Sequence, residues 1–332
     1  MNVAKICRIL VILMASIALG CSQGESTASG WTWRPSKSTW KVYGDLLGPA
    51  NISAIASVDG QSFILGSDDL TVAQFGAIDS KKRKLVLKGQ VPLYKSKDRD
   101  EIDIEGIAAA PEEATYYITG SHSVTKKGNM NKERRSVFRV TVDHKTGHWN
   151  KISRKSLLDL IRDNATLSPH WEQSLQQDGI NIEGLAWKAG QLYFGFRSPN
   201  LKEHALVLQV PTQGLFEKGK DEHTLHRVPL GRGLGIRELV AIREGFLLVA
   251  GNAGDSPTAE QPKSPNYLKG RPYGIYFWDP ITNIVQRLAT FARPGRPEAM
   301  VVLTDTKNTT EVLVLFDGVR GGAPTAYTLT KR

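Results

Sequence analysis

A short phrase that carries an acidic residue recurs along the chain and places glutamates at matched positions. Its copies are DIEGIA (Asp103–Ala108), NIEGLA (Asn181–Ala186), IRELVA (Ile236–Ala241) and RPEAMV (Arg296–Val301). The glutamates that they supply are Glu105, Glu183, Glu238 and Glu298. An earlier copy, NISAIA (Asn51–Ala56), has Ser53 where the others have glutamate. Several carboxylates at matched positions can bind a hard cation such as Ca²⁺ or act as general acids and bases.

Each phrase is followed by a hydrophobic run that ends in a polar cluster. The clusters are GSDD, GSHS, GFRS, AGNAGD and LFDG, and their candidate ligand-binding or catalytic residues are Asp68, His122, Arg197, Asn252 and Asp317. These side chains differ in charge and in hydrogen-bonding groups, so they would break the symmetry of the glutamates. Arg197 and Arg237 could bind a carboxylate or phosphate through paired hydrogen bonds.

Strand-like runs surround these phrases and predict the fold that positions them. Each phrase begins one run and leads through a hairpin turn, such as Asp59-Gly60, into a second run, and third and fourth runs follow. Such a recurring unit, here beginning at residues 51, 103, 181, 236 and 296, is typical of folds built from repeated structural units. We predict an all-β fold, a β-propeller of five four-stranded blades, with six blades as the alternative. The N-terminal run TWKVYG (Thr39–Gly44) is expected to close the last blade.

Three insertions interrupt the repeats. One contains Leu157, Leu158, Leu160 and Ile161 after a possible cap at Ser153, which predicts a helical insertion near residues 154–178. The others are Ser121–Arg135 and Asn252–Pro272. All three are expected on the face of the propeller where the glutamates lie.

Strand direction predicts where the polar residues meet. The loop that enters the innermost strand of a blade and the loop that leaves its second strand lie on one face, so the glutamates and the polar clusters should converge on one channel mouth. Basic residues of the insertion Ser121–Arg135 add positive charge there: Lys126, Lys127, Lys132, Arg134 and Arg135. We therefore predict a site for an anionic small molecule or a glycan, with calcium as a candidate cofactor bound by Glu105, Glu183 and Glu298.

Three other interpretations remain open. The glutamates could instead accept hydrogen bonds from backbone N–H groups and join the blades. A calcium-dependent hydrolase of phosphoesters or lactones would use Glu105 or Glu183 as ligand or base, and His122 or Arg197 to stabilise an anion. An envelope scaffold would use the same face to bind proteins. The sequence contains no glycine-rich phosphate loop, nucleophile elbow, HExxH helix or cysteine metal site, so it does not decide whether the protein is an enzyme.

The N-terminus predicts export. Lys5 and Arg8 precede an apolar run, Ile9–Gly20, that is too short to span a membrane as a helix and is typical of a signal peptide. The run ends in Ala18–Cys21 (ALGC), which is similar to the lipobox of bacterial lipoproteins. We predict a signal peptide at 1–20, a lipidated Cys21 with a flexible tether at 21–35, and a single propeller domain at 36–332.

Charge and cysteine content agree with this location. The chain has a net charge of +10, which suits nucleic acid, an anionic membrane or an anionic ligand. Export argues against nucleic acid. The two cysteines are Cys7 and Cys21, so loss of the signal peptide leaves no pair for an intramolecular disulfide. We expect a monomeric lipoprotein, anchored in the bacterial cell envelope and facing the periplasm, or a secreted protein if the lipobox is not used.

Two motif pairs carry a family resemblance. NIEGLAW (Asn181–Trp187) followed by LYFGFRSP (Leu192–Pro199), and DIEGIA followed by TGSHS, resemble a bacterial family known as domain of unknown function 3616. The resemblance runs from Asn51 to Lys331 and implies a propeller-like fold in exported proteins. More distantly, the Glu-Gly phrases are similar to those of phytase-like and lactonase-like propellers, whose acidic residues bind Ca²⁺. Ser53 departs from that pattern, so their chemistry is not transferred.

Overall fold

The computed structural model describes residues 30–94, 100–125, 127–143, 149–217, 222–257, 263–292 and 294–331. The predicted signal peptide, Cys21, the tether up to residue 29 and Lys126 lie outside the described residues. Within the described ranges, no helix is long and apolar enough to cross a membrane.

The strands form five sheets, which are the blades of a propeller. The first strand, β1 (Trp31–Thr39), belongs to blade 5. Blade 1 contains β2 (Lys41–Tyr43), β3 (Ile52–Ala56), β4 (Ser62–Ser67), β5 (Val72–Asp79) and β6 (Lys84–Pro92). Blade 2 contains β7 (Ile104–Ala110), β8 (Thr115–Gly120), β9 (Val137–Val142) and β10 (Trp149–Lys155).

The remaining blades repeat this order from the channel outward. Blade 3 contains β11 (Asn181–Lys188), β12 (Gln191–Ser198), β13 (Ala205–Pro211) and β14 (Thr224–Val228). Blade 4 contains β15 (Leu234–Ile242), β16 (Gly245–Asn252), β17 (Gly274–Asp279) and β18 (Ile284–Thr290). Blade 5 contains β19 (Arg296–Asp305), β20 (Thr309–Asp317), β21 (Thr325–Lys331) and β1. The predicted all-β propeller of five blades is confirmed.

The hydrophobic core lies in the spaces between neighbouring blades. Five clusters of buried apolar side chains each join two adjacent blades; Tyr193 of blade 3, for example, packs against Phe246 of blade 4 at a ring-centroid distance of 4.6 Å. Each inner strand contacts the next, and β19 contacts β3, so the ring is closed. Inner strands are buried on both faces, which explains why their sequences are apolar runs rather than alternating patterns.

An N-terminal strand closes the ring, but it is not the strand predicted. β1 pairs antiparallel with β21, whereas β2, which lies in the predicted run Thr39–Gly44, adds to blade 1 parallel to β6. Aromatic packing explains the choice: Trp33 stacks on Tyr327 at 4.9 Å, and Trp31 contacts Phe277 at 5.9 Å. The boundary of the tether is also corrected, because residues 31–35 are part of β1.

The predicted helical insertion is present and leads into β11. It contains α1 (Leu158–Asp163) and 3₁₀ turns at Ser168–His170 and Leu175–Gln177. Ser153 does not cap α1, since it lies within β10; the Leu158 N–H instead donates to Ser156 Oγ at 3.2 Å. Outside this insertion, the described helical segments are α2 (Thr212–Phe216) and 3₁₀ turns at Pro111–Glu113 and Arg320–Gly322.

Candidate ligand site at the channel mouth

A β-bulge near the start of each inner strand sets the position of one side chain at the mouth. The register shifts that mark the bulges lie at Ser53, Glu105, Glu183, Arg237 and Glu298. A bulge carries one extra residue and redirects its side chain relative to the strand. The prediction that Glu238 completes the ring is therefore wrong by one residue, because Arg237 occupies the equivalent position.

The small residue after the bulge allows neighbouring inner strands to approach closely. A Cβ atom on Gly106 would lie 2.7 Å from Leu185 Cβ, and one on Gly184 would lie 2.9 Å from Leu239 Cβ. Both distances are shorter than normal carbon contacts. The Gly in the repeated phrase is thus a packing requirement of the ring.

Glu238 takes the place of this glycine in blade 4 and joins two blades. Its Oε1 accepts a hydrogen bond from the Leu239 N–H at 2.7 Å, and its Oε2 accepts one from the Met300 N–H of blade 5 at 3.1 Å. Burial raises the pKa of Glu238 well above its usual range. Ser53 has a related role in blade 1, since its hydroxyl donates to the Ile104 carbonyl of blade 2. The alternative in which the glutamates accept backbone hydrogen bonds and join blades therefore describes Glu238. Ser53 joins blades as a donor.

Glu183 and Glu298 bind arginines at the mouth. Arg237 lies between them, with Nε 2.8 Å from Glu183 Oε2 and Nη2 bonded to Glu298 Oε1. Arg197 approaches Glu183 Oε1 to 3.0 Å and also pairs with Asp255. Because both arginines are nearly buried, these ion pairs place alternating charges in a region of low dielectric constant.

Two further described arginines at the mouth, Arg296 and Arg134, also each have two carboxylate partners. Arg296 pairs with Asp317 and lies 3.6 Å from Glu298 Oε1. Arg134 lies 2.9 Å from Asp103 Oδ2 and pairs with Glu101. Each of these guanidinium groups is therefore already neutralised by carboxylates of the protein. These guanidinium groups therefore do not supply the free positive charge that was predicted to bind an anion at this mouth.

A cavity of about 520 Å³ opens at this mouth and contains two carboxyl groups outside the ion pairs. They belong to Asp68 and Glu105, and neither carboxyl group has a hydrogen-bond or ion-pair partner among the described residues. Asp68 Oδ1 is fully buried. The cavity is thus lined both by free hydrogen-bonding groups and by arginines that are already ion-paired.

Burial and neighbouring carboxylates perturb both groups. Burial, followed by the charges of Asp103, Asp317 and Asp69, raises the pKa of Asp68 to about 7, while Arg296 opposes the shift. Burial, followed by Glu183, Asp103 and Asp68, raises the pKa of Glu105 well above its usual range. A carboxyl group that keeps its proton near neutral pH can donate as well as accept a hydrogen bond.

Two buried amide side chains, Gln176 and Asn181, also line the cavity, and neither was predicted as a site residue. Both side-chain polar atoms of Gln176 and the Oδ1 atom of Asn181 are buried and have no hydrogen-bond partner in the described part of the chain. Asn181 Nδ2 donates to Glu183 Oε1 at 3.1 Å. Asn181 belongs to the repeated phrase NIEGLA, so its position next to Glu183 could have identified it from the sequence. Gln176 reaches the cavity only because the helical insertion folds over the mouth.

His122 and Asn252 support loops and do not belong to the lining of this cavity. His122 Nδ1 lies 3.1 Å from the Gly120 carbonyl, and its Nε2 accepts a hydrogen bond from the Leu157 N–H. Burial lowers the pKa of His122 to about 4. Asn252 exchanges two hydrogen bonds with the backbone of Leu268.

The predicted calcium ligands do not form a metal-binding group. Glu183 and Glu298 bind Arg237, whereas Glu105 lines the cavity outside these ion pairs. Among the described residues, no cluster of three or more histidine, cysteine, aspartate or glutamate side chains could hold a metal ion. The carboxyl and amide groups of the cavity therefore do not form the cluster of oxygen ligands that a calcium ion needs.

Comparison with known proteins gives a family and a set of similar folds. Solved structures similar to this chain include the WD40 repeats of RRP9, with 8% identity, a TM-score of 0.43 and coverage of 90% of this chain and 99% of that chain. The WD40 β-propeller domain of Doa1 has 8% identity, a TM-score of 0.40 and coverage of 88% and 96%. A structural genomics protein of unknown function from Bacteroides thetaiotaomicron has 13% identity, a TM-score of 0.40 and coverage of 90% and 76%.

The curated proteins contain no match to this chain. The model of the family described as protein of unknown function (DUF3616) matches residues 51–143 and 139–323. These ranges include the bulges of all five blades, the helical insertion and the cavity residues. The chain therefore belongs to the DUF3616 family, and the resemblance seen in the repeated phrases is confirmed.

Proposed function

We propose that the mouth cavity binds a neutral, polyhydroxylated ligand of the glycan class. The observation that supports this proposal is the set of partnerless polar atoms on Asp68, Glu105, Gln176 and Asn181. A buried polar atom without a partner costs about 1–3 kcal/mol. Ligand hydroxyls both donate and accept hydrogen bonds, so a glycan would satisfy carboxyl and amide groups together.

The charge distribution favours a glycan over an anionic small molecule. Arg134, Arg197 and Arg296 line the cavity and are each bonded to carboxylates. Of the described cations that line the cavity, only Lys127 is outside such a pair. An anion would have to displace a carboxylate of the protein, whereas a neutral ligand would leave the ion pairs intact.

Binding can be tested by calorimetric titration of the full mature chain with glycans found by array screening. Gln176→Ala should weaken binding about tenfold or more, because it removes two hydrogen-bonding groups worth about 1 kcal/mol each. The matched control is Gln213→Ala, an exposed amide on α2. Equal affinity of the native protein and Gln176→Ala would contradict the site, and absence of glycan binding would contradict the ligand class.

A second candidate function is hydrolysis of the bound glycan. It is favoured by the two cavity carboxyl groups with raised pKa values, Asp68 and Glu105, since such groups can serve as general acid and base. Glu105→Gln should then retain binding and lose release of reducing ends. If the native protein binds a glycan and releases no product, the protein is a binding module.

We also propose that the chain acts in the cell envelope, held by a lipid on Cys21. The sequence support is the ALGC motif, and residues 22–30 would remain as a tether before β1. Metabolic labelling with a fatty acid should mark the native protein and not Cys21→Ser. Labelling of both proteins, or of neither, would contradict lipidation at this residue.

A further inference from the structure

A second cavity, of about 530 Å³, differs from the mouth in charge. It lies between the loop that precedes β9 and the junction of β10 with α1. The described residues that line it include four cations and two hydroxyls: Lys132, Arg135, Arg154, Lys155, Ser136 and Ser156. No carboxylate is among the described residues of this lining.

The four cations have no ion-pair partner among the described residues, although the charge of Glu172, which lies outside the lining, acts on Arg135. Arg135 Nη2 is buried and has no hydrogen-bond partner there. This arrangement is opposite to that of the described arginines at the mouth, Arg134, Arg197, Arg237 and Arg296, which are bonded to carboxylates. Like charges that share one cavity repel, and an anion bound between them would offset the repulsion.

Aromatic side chains hold two of these cations in place. The Arg135 guanidinium lies over Trp171, 5.5 Å from the ring centroid. Arg154 lies 5.5 Å from the ring centroid of Tyr94 and donates a hydrogen bond to its hydroxyl at 3.2 Å. The same hydroxyl is 3.0 Å from Ser136 Oγ. The guanidinium groups are therefore preorganised, which lowers the entropic cost of binding.

We propose that this side cavity binds a phosphate monoester that carries an apolar group. Guanidinium and ammonium groups with nearby hydroxyls match the oxygens of a phosphate. Leu158 and Met130, the latter 43% exposed, supply an apolar wall for the substituent. The basic residues of the insertion Ser121–Arg135 predicted an anion site at the mouth, and this proposal places that site in the side cavity instead. The proposal does not rest on glycan binding.

Calorimetric titration of the full chain with inorganic phosphate and with phenyl phosphate tests the proposal. Phenyl phosphate should bind more tightly than phosphate, and its affinity should fall as sodium chloride is raised. Arg154→Gln and Lys155→Gln should each weaken phenyl phosphate binding about tenfold. Unchanged melting temperatures without ligand would show that these variants are folded.

Two lysines outside the side cavity serve as controls. Lys307→Gln changes an exposed turn, and Lys127→Gln changes the mouth; both should leave phenyl phosphate binding unchanged. Equal weakening by all four variants would overturn the proposal in favour of nonspecific attraction. Absence of binding at millimolar phenyl phosphate would overturn it outright, and equal affinities for the two probes would overturn its apolar part.

Discussion

The bulged residue of each inner strand determines which chemical group reaches the channel mouth. The same backbone position carries a hydroxyl that joins blades in Ser53, a partnerless carboxyl in Glu105, and ion-paired groups in Glu183, Arg237 and Glu298. One local backbone feature can therefore serve architecture in one blade and ligand binding in another. The unequal side chains make the mouth asymmetric and leave its free carboxyl groups, those of Asp68 and Glu105, near blades 1 and 2.

Asp68→Asn should alter the pH dependence of stability. The pKa of Asp68 is raised from 3.8 to about 7 in the folded protein, so between these pH values the native state binds more protons than the unfolded state. The native protein should therefore lose stability as pH rises from about 4 to about 7, and the variant should lack this contribution. Urea denaturation between pH 4 and pH 8 measures it.

Exposed Asp45→Asn is the control for the loss of a charge. The stability difference between Asp68→Asn and the native protein should grow in favour of the variant over this range and then level off. Parallel stability curves for the native protein and the Asp68 variant would refute the buried, perturbed state of this carboxyl group.

Glu238→Gln should destabilise the junction of blades 4 and 5. Both carboxyl oxygens accept backbone hydrogen bonds, and an amide would place its NH₂ group against one of these donors. The buried N–H left without a partner should lower the free energy of unfolding by about 1–3 kcal/mol, as measured by chemical denaturation. Exposed Glu112→Gln should have little effect, and an equally small effect of Glu238→Gln would rule out the joining role.

At the scale of the strand, the repeated Glu-Gly pair combines two requirements. The bulge redirects one side chain to the mouth, and the following glycine lets the next inner strand pack against the backbone. The sequence pattern revealed both residue types. It could not distinguish Arg237 from Glu238, because assignment of the bulge depends on the pairing of β15 with β16.

Gly184→Ala tests this packing requirement. Its methyl group would lie 2.9 Å from Leu239 Cβ and 3.0 Å from Ile236 Cγ2, so the inner strands of blades 3 and 4 would have to separate. We expect a loss of about 1–3 kcal/mol in the free energy of unfolding. A variant with native stability in equilibrium denaturation would show that these strands can move apart without cost.

At the scale of the whole molecule, the ring is closed by pairing between the two ends of the described chain. β1 covers β21, and its tryptophans pack on Tyr327 and Phe277. Without β1, blade 5 would expose an unpaired strand edge and apolar rings, which promotes association between chains. The closure therefore contributes to both stability and solubility.

Removal of β1 tests this closure. A chain that begins at Trp40 should melt at lower temperature and associate in gel filtration, whereas one that begins at Gly30 should behave as the mature protein does. The comparison also separates the two N-terminal strands, because both chains retain β2. Equal melting temperatures would mean that β1 is dispensable.

Five blades, the helical insertion and the face that carries the polar residues could be predicted from the amino-acid sequence, since apolar runs, turns and repeats are local patterns. The sequence could not predict which N-terminal strand closes the ring. It also could not predict the position of Arg237 in the ring or the pairing of the arginines. These depend on strand register and on contacts between residues far apart in the chain. Gln176, which belongs to no repeat, joins the mouth cavity for the same reason, and the four side-cavity cations remain unpaired because the fold brings no carboxylate of the described lining to them.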